Sequence, residues 1–339
     1  MKLRIAQIGT RHGHAQGKWR ALCTHPDVEA VGIWEPDAEA RAAAQAKPGF
    51  GGARWFDLAD EILGDASVAA VAIEGRNHES LGMAKAAMDA GKHLWFDKPA
   101  GDDWPAFLEL LEAASTRRKE IQMGYMFRYS PGFSRIADWV HAGLLGDIFA
   151  IRAHMSTSVD LAERTEQSRH RGGILYDLGG HMIDQIVWLL GRPTRVSRVL
   201  RNDATPELPG YADNSVAVFE FASALAMLDI AAMEPRPAAR RFEVYGTRGS
   251  AILEPFDPSR SLRLALDAAS GDYSAGEHVF ELAAVSRQEF YERELVAFIG
   301  RVRDQRPPDR PIEHERLVQE TLLRATGSLA DPKSLANGG

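Results

Sequence analysis

The sequence has one cysteine, Cys23, no block of Lys or Arg, and no apolar run near the ~18 residues that a membrane helix needs. A lone cysteine has no intrachain partner, so a disulfide-stapled module is excluded. The N-terminus MKLRIAQIGT enters a strand-like pattern at once, without the apolar core of a signal peptide, and a cytoplasmic protein with no membrane partner is expected. Basic residues are outnumbered 40 to 47 by acidic ones, for a formal net charge of −7. Phosphate neutralisation demands clustered cations, so no nucleic-acid partner is expected. What remains is an ordinary globular composition, 45% hydrophobic and 26% charged over 339 residues. At roughly 100–200 residues per domain this suits two domains, each able to bury a core.

From Met1 to about Met123, short apolar runs alternate with longer amphipathic stretches, the rhythm of a parallel sheet covered by helices. Strands are expected at Leu3 to Gly9, Glu29 to Trp34, Val68 to Ile73, His93 to Phe96 and Glu120 to Met123. Helices are expected at Ser80 to Ala90 and at Trp104 to Arg118, the second with Asp103 as N-cap and Pro105 in its first turn. After Tyr125 the pattern predicts helices at Pro131 to Ala142 and Gly173 to Leu190 around a strand from Asp147 to Ser156 and a polar loop up to Gly172. Consecutive strands then run through Ser215 to Phe221, Leu225 to Ala232, Arg241 to Gly246, Ser250 to Glu254 and Leu262 to Leu266, a mostly antiparallel sheet. Two helices, Arg287 to Arg303 and Glu313 to Thr326, close the chain.

The first strand runs into Gly9-Thr10-Arg11-His12-Gly13-His14, where a dinucleotide fold places its glycine turn. The usual G-x-G-x-x-G would put glycines at 9, 11 and 14. Here Arg11 and His14 replace two of them, so the turn is rearranged, with Gly13 taking over the close approach; a plain strand-to-helix turn is the competing reading. Glu35 ends the second strand some two dozen residues later, where a carboxylate accepts bonds from ribose hydroxyls and repels a 2′-phosphate. NAD is therefore expected over NADP, against the alternative of a capping or solvated carboxylate.

Two further segments carry chemistry. The strand His93-Leu94-Trp95-Phe96 stops at Asp97-Lys98-Pro99, and a lysine at the carboxyl end of a parallel strand points into the crevice where such sheets bind ligands. In Gly172-Gly173-Ile174-Leu175-Tyr176-Asp177-Leu178-Gly179-Gly180-His181-Met182-Ile183-Asp184, a helix puts Asp177, His181 and Asp184 at i, i+4 and i+7 on one face. That spacing lets a carboxylate orient a proton-transferring imidazole. Metal ligation by the same trio, or a satisfied structural network, are the competing readings; no metal is expected in the favoured one.

Together these motifs resemble the Gfo/Idh/MocA oxidoreductases, the family of glucose-fructose oxidoreductase and inositol dehydrogenase. Its A-G-K-H-V-x-x-E-K-P appears as Ala90 to Pro99, its Y-x-x-R-x-x-P as Tyr125 to Pro131, its G-G-x3-D-x-G-x-H-x2-D at 172 to 184, and its glycine turn at Tyr245 to Ser250. The resemblance implies a Rossmann domain over 1–124 and a substrate-binding, oligomer-forming α+β domain on an open, mostly antiparallel sheet over 125–339, in a homodimer or homotetramer. It implies that Lys98, Asp177 and His181 are catalytic. Cofactor contacts are expected from Gly9, Thr10, Arg11, His12, Gly13, Glu35, Asn77, Asp97 and Lys98, and substrate contacts from Arg128, Arg152, His154 and Asp184, with the 159–171 loop beside them. The chain departs from the pattern at Arg11, at Asp97 where Glu is usual, and at Gly75-Arg76-Asn77-His78, where the family's T-P-N-x-x-H keeps only its Asn. The expected activity is hydride transfer between a sugar, polyol or related hydroxyl compound and NAD. An NAD-assisted lyase or glycosidase and a non-catalytic nucleotide-responsive module are the alternatives.

Overall fold

The computed structural model describes residues 1–331, which form two compact units. Met1–Met126 and Ser286–Arg316 make the first; Phe127–Val285 and the chain from Leu317 make the second.

The first unit alternates β1 (Leu3–Ile8), α1 (Ala15–Thr24), β2 (Val28–Trp34), α2 (Ala38–Gln45), β3 (Trp55–Phe56), α3 (Asp60–Leu63), β4 (Ala70–Ile73), α4 (Asn77–Asp89), β5 (His93–Phe96), α5 (Trp104–Arg117) and β6 (Ile121–Met123). Its sheet is parallel throughout, in the order β3-β2-β1-β4-β5-β6. The order reverses between β1 and β4, and in such sheets that switch point opens the ligand crevice at the strands' carboxyl ends. Burial explains the short apolar strands: all four residues of β4, and Leu94, Trp95 and Phe96 of β5, are shut from solvent. Asp103 does cap α5, accepting from the Ala106 amide at 3.0 Å.

His93 opens β5 with its ring Nδ1 accepting from the Glu120 amide at 3.0 Å. Burial, with Lys119 adding to it, pushes the His93 pKa from 6.5 down to about 4. The fold thus favours the neutral ring, and protonation favours the unfolded chain. This contribution is fully present above pH 6.5 and is lost as the pH falls toward 4. We expect denaturant unfolding to lose roughly 1–2 kcal/mol over that window, after discounting for partial solvent access. His93→Gln, which keeps an acceptor but no titration, should flatten that part of the slope.

The second unit contains α6 (Pro131–His141), β7 (Ile148–His154), α7 (Leu161–Gln167), α8 (Ile174–Leu178), α9 (Gly180–Leu190), β8 (Arg195–Arg201), β9 (Asn214–Glu220), β10 (Leu225–Ala231), β11 (Arg241–Gly246), β12 (Gly249–Leu253), β13 (Ser261–Leu266) and β14 (Gly276–Glu281). Two helices follow. The first, α10 (Arg287–Val302), belongs to the first unit, and the division between units falls inside the second, α11 (Ile312–Thr326). Arg301 of α10 is tied to β6 and its approach: Nη2 donates to the Ile121 carbonyl at 2.8 Å and Nε to Glu120 at 3.0 Å.

The second sheet runs β14-β13-β12-β11-β7-β10-β9-β8 and is antiparallel at every pair except β7 with β10. Side chains alternate between its faces. Ile151, Ala153, Phe219, Leu228, Phe242 and Leu264 point to the buried face, on which α6, α8 and α9 pack. The other face carries Arg152, His154, Asp229 and Glu243, together with Val199, Leu225 and Val279, which are 52–63% exposed.

The structure differs from the sequence reading at several points, beginning with the short outer strand β3, which no expected strand covered. The polar loop before Gly172 contains α7, with Asp160 accepting from the Glu163 amide at its N-cap. The single helix expected over 173–190 divides at Gly179 into α8 and α9. The edge strands β8 and β14 extend the sheet beyond the apolar runs; they mix polar and charged residues, such as Arg195, Arg198, Arg201, Glu277 and Glu281, with the valines, because an edge strand keeps one side in water.

Candidate active site and cofactor turn

At the end of β1 the chain turns through Gly9, whose φ is +87°. A Cβ there would stand 2.5 Å from the Gly75 amide nitrogen and 2.8 Å from the Glu74 carbonyl oxygen, so only glycine fits. At Gly13 a Cβ would meet nothing within 4 Å. Its α-carbon faces open space just before α1, which suits a phosphate approaching the backbone at a helix N-terminus. The open space at Gly13 leaves the turn room for a dinucleotide's phosphates.

Glu35 follows β2 and is buried. Its Oε2 accepts from both the Thr10 amide and the Thr10 hydroxyl at 2.7 Å, and its Oε1 from the Asp37 amide at 3.1 Å. Glu35 thus braces the turn as well as lining it. Arg11 is tied down too: its guanidinium bonds to Glu79 and lies 3.6 Å from Asp37. Asn77 opens α4, directly after the turn that leaves β4.

Behind the turn lies a buried polar cluster. Asp97 Oδ2 faces His14 Nδ1 at 2.9 Å, Lys18 Nζ at 3.0 Å and His12 Nδ1 at 3.2 Å, while its Oδ1 accepts from the Lys98 amide at 2.8 Å. Lys18 Nζ also lies 3.0 Å from Glu74 Oε1 and 4.5 Å from the centre of the Trp95 ring. Burial alone would raise the Asp97 carboxyl, but the charges of His12, His14 and Lys18 outweigh it and hold it well below the usual range. Burial lowers the His14 pKa to about 4, against the pull of Asp97. Burial raises the Glu74 carboxyl well above its ordinary value, with Lys18 opposing. Burial also disfavours the Lys18 ammonium, yet Asp97, Glu74 and Glu294 together raise its pKa. Gly124 is required beside this cluster, because a Cβ there would lie 2.5 Å from Asp97 Oδ1. Lys98 itself is buried, at 3% exposure.

In the second unit, α8 carries Asp177 and α9 carries His181 and Asp184. His181 is buried edge-to-face against Phe127, with ring centres 5.1 Å apart. Asp177 Oδ2 accepts from Gln167 Nε2 at 3.0 Å, and Gln167 Oε1 accepts from the Tyr211 hydroxyl at 2.5 Å. Gln167 and Tyr211, which sequence reasoning missed, thus fix the carboxylate one turn before the histidine.

The expected substrate contacts are placed unevenly. Arg128 and Asp184 are spent on each other: Nε donates at 3.0 Å and Nη2 at 2.7 Å to Oδ1, with both side chains 1% exposed or less. Arg152 and His154 lie on the sheet face opposite α8 and α9, so within this unit they do not join Asp177 and His181. There His154 bonds through Nδ1 to Asp229 and through Nε2 to Glu234 at 3.2 Å. Of the 159–171 residues, Asp160 caps α7, His170 stacks on Tyr176 at 4.4 Å, and Arg164 binds the Val159 and Ala232 carbonyls and the Thr205 hydroxyl.

His14, Lys18 and Glu74 also escaped the sequence reading. The one available signal was the i, i+4 spacing of His14 and Lys18, a polar pair at the start of a helix whose inner face should be apolar.

Residues 3–125 match the model of the oxidoreductase family with an NAD-binding Rossmann fold, and residues 133–252 match that of the GFO/IDH/MocA C-terminal domain. An uncharacterized oxidoreductase of Rhizobium meliloti is 28% identical over 319 residues, 92% of each chain. Inositol 2-dehydrogenase 3 of Saccharopolyspora erythraea is 28% identical over 61% of this chain and 62% of its own. Among solved structures, a levoglucosan dehydrogenase in complex with NADH and levoglucosan superposes with a TM-score of 0.83 over 97% of each chain at 18% identity, a likeness of fold. The chain belongs to the Gfo/Idh/MocA family of oxidoreductases and carries that family's NAD-binding Rossmann fold at its N-terminus.

Proposed function

We propose that the chain is an NAD-dependent dehydrogenase acting on a CH–OH group of a sugar, polyol or related hydroxyl compound, with residues 1–124 serving the cofactor and 125–339 the substrate and self-assembly. The observation that carries this reading is a buried histidine, His181, at the start of α9, four residues after a carboxylate, Asp177 on α8, that Gln167 holds in place. His181 accepts the hydroxyl proton as the carbon loses hydride, Asp177 helps to fix substrate and histidine, and Lys98 stands at the family's catalytic lysine. Nicotinamide, when bound, supplies the hydride acceptor. Relatives named for inositol and levoglucosan support the substrate class. The test is nicotinamide reduction across a panel of polyols and sugars. Substrate turnover without net NADH formation would instead indicate transient oxidation, and no turnover with any member would overturn the reading.

NAD is expected to bind at least about tenfold more tightly than NADP, the equivalent of about 1.4 kcal/mol. Glu35, Asp37 and Glu79 gather negative charge at the end of β2 and the start of α4, and Arg11 is already engaged by two of them. Calorimetric titration with both nucleotides decides the matter; tighter NADP binding would show that Arg11 leaves its carboxylates for the 2′-phosphate.

The open face of the second sheet is proposed as the self-association surface of a homodimer or homotetramer, since exposed Val199, Leu225 and Val279 line it. Light scattering at micromolar concentration should report a dimer or larger. Val279→Lys should weaken that state, whereas a monomeric wild-type chain would refute it.

A further inference from the structure

Two of the places where this chain departs from its family's pattern, the Gly9–His14 turn and Asp97 in place of Glu, are one place in space. From the observations below we propose that His12, His14 and Asp97 form a binding site for a divalent transition-metal ion of the zinc class. The site lies wholly within the first unit, at the turn and strand end also proposed to meet the cofactor, and its test reads metal binding rather than turnover.

The donor atoms are already close to coordination geometry. His14 Nδ1 lies 2.9 Å and His12 Nδ1 3.2 Å from Asp97 Oδ2, and all three atoms fall within 4.8 Å of one another. Around a tetrahedral ion with bonds of about 2.0–2.2 Å, neighbouring donors stand about 3.3–3.6 Å apart. The two nitrogen–oxygen distances would therefore need to open by only a few tenths of an ångström to take an ion. Glu74 Oε2, 3.6 Å from His12 Nδ1, is the natural fourth donor. Two imidazoles with carboxylates suit zinc, cobalt, nickel or copper better than the all-oxygen preference of magnesium or calcium.

The metal-free arrangement contains a conflict that an ion would relieve. His12 Nδ1 accepts from the His14 amide at 3.2 Å, which requires a lone pair on that nitrogen. The same nitrogen faces Asp97 Oδ2 at 3.2 Å, where a lone pair meets a carboxylate oxygen. If the ring carried its proton on Nδ1 to satisfy Asp97, the His14 amide would lose this acceptor. A cation between the two rings and the carboxylate would take the His12 Nδ1 lone pair and turn its repulsion with Asp97 into a shared attraction, at the cost of the 3.2 Å contact with the His14 amide. Three nitrogens crowd one oxygen of Asp97, while Glu74 Oε2 is left with His12 alone at 3.6 Å among the ion-pair distances of the described residues.

Lys18 is the built-in competitor. Its ammonium sits 3.0 Å from both Asp97 Oδ2 and Glu74 Oε1, so it balances the carboxylates when no ion is bound and would repel an ion that arrives. This gives the proposal a signature that a merely structural histidine network lacks. Removing the charge with Lys18→Met, close in volume and apolar beside Trp95, should tighten metal binding.

The experiment is titration of the full-length, chelator-treated protein with Co²⁺, read by the visible absorption of tetrahedral cobalt, and with Zn²⁺ by competition. The expected result is one tightly bound ion per chain. His12→Gln and His14→Gln should each weaken binding by about a hundredfold or more, since even outer-shell losses cost 10–100-fold. Cys23→Ser, at an exposed position away from the cluster, should change nothing, and Lys18→Met should strengthen binding about tenfold or more, from loss of a neighbouring like charge. Absence of the cobalt signal, a signal that survives both histidine variants, or unchanged affinity in a folded Lys18→Met protein would each overturn the proposal. Should a histidine variant fail to fold, Lys18→Met alone still decides it.

Discussion

His181→Ala is expected to lower turnover by about 10²- to 10⁴-fold, the range for loss of a positioned acid-base group, while NAD affinity stays nearly unchanged. The second half follows from position: His181 is on α9, while the dinucleotide turn and Glu35 lie in the first unit. His181→Gln separates chemistry from packing, because it fills more of the space against Phe127 that alanine would empty. Lys98→Ala should produce a loss of the same order, and Asp177→Asn a smaller one. If Lys98 and His181 serve one proton, the double variant loses less than the product of the singles. Steady-state kinetics on the substrate found by the panel, with NAD titration alongside, check these outcomes. Near-normal turnover in His181→Gln and His181→Ala would remove His181 from the mechanism.

The architecture was legible because burial writes itself into sequence. The strands β1, β2, β4, β5 and β6 read as apolar runs since both sheet faces are covered, and β9 through β13 alternate since one face is open. What stayed hidden was structure held by polar groups. The helix α7 is polar along most of its length and announces itself only by the Asp160 cap, and β8 carries three arginines, Arg195, Arg198 and Arg201, held by polar partners rather than by an apolar pattern. The site followed the same rule. Motif spacing singled out Lys98, Asp177 and His181, but not the partners that set their surroundings. Gln167 reaches Asp177 across 10 residues of sequence, Tyr211 reaches Gln167 across 44, and Lys18 reaches Asp97 across 79, distances over which a one-dimensional pattern carries no contact. Arg152 and His154 illustrate what residue type alone omits: the pleat of β7 turns both to the sheet face away from α8 and α9.

Loss of either member of the Arg128–Asp184 pair carries a large expected effect on stability. The pair's residue types also suggested substrate binding, yet the guanidinium and carboxylate are 1% and 0% exposed and make a forked set of bonds from Nε and Nη2. Gln185 adds a bond to Asp184 Oδ2 at 2.9 Å, so the carboxylate is fully engaged inside the unit. Removing one partner leaves the other charge buried without compensation, a loss of about 3–5 kcal/mol, whereas replacing both with apolar residues of similar volume is often close to neutral. Asp184→Ala should therefore lower the denaturation midpoint sharply, and Arg128→Met should do the same. The double variant Arg128→Met/Asp184→Leu should recover most of the lost stability. If the pair is structural, the recovered double variant should retain its KM, because neither group touches substrate. A double variant that folds well but shows a KM raised by tenfold or more would return Arg128 and Asp184 to the substrate site. Denaturant titration of the four proteins, followed by kinetics on the folded ones, separates the two roles.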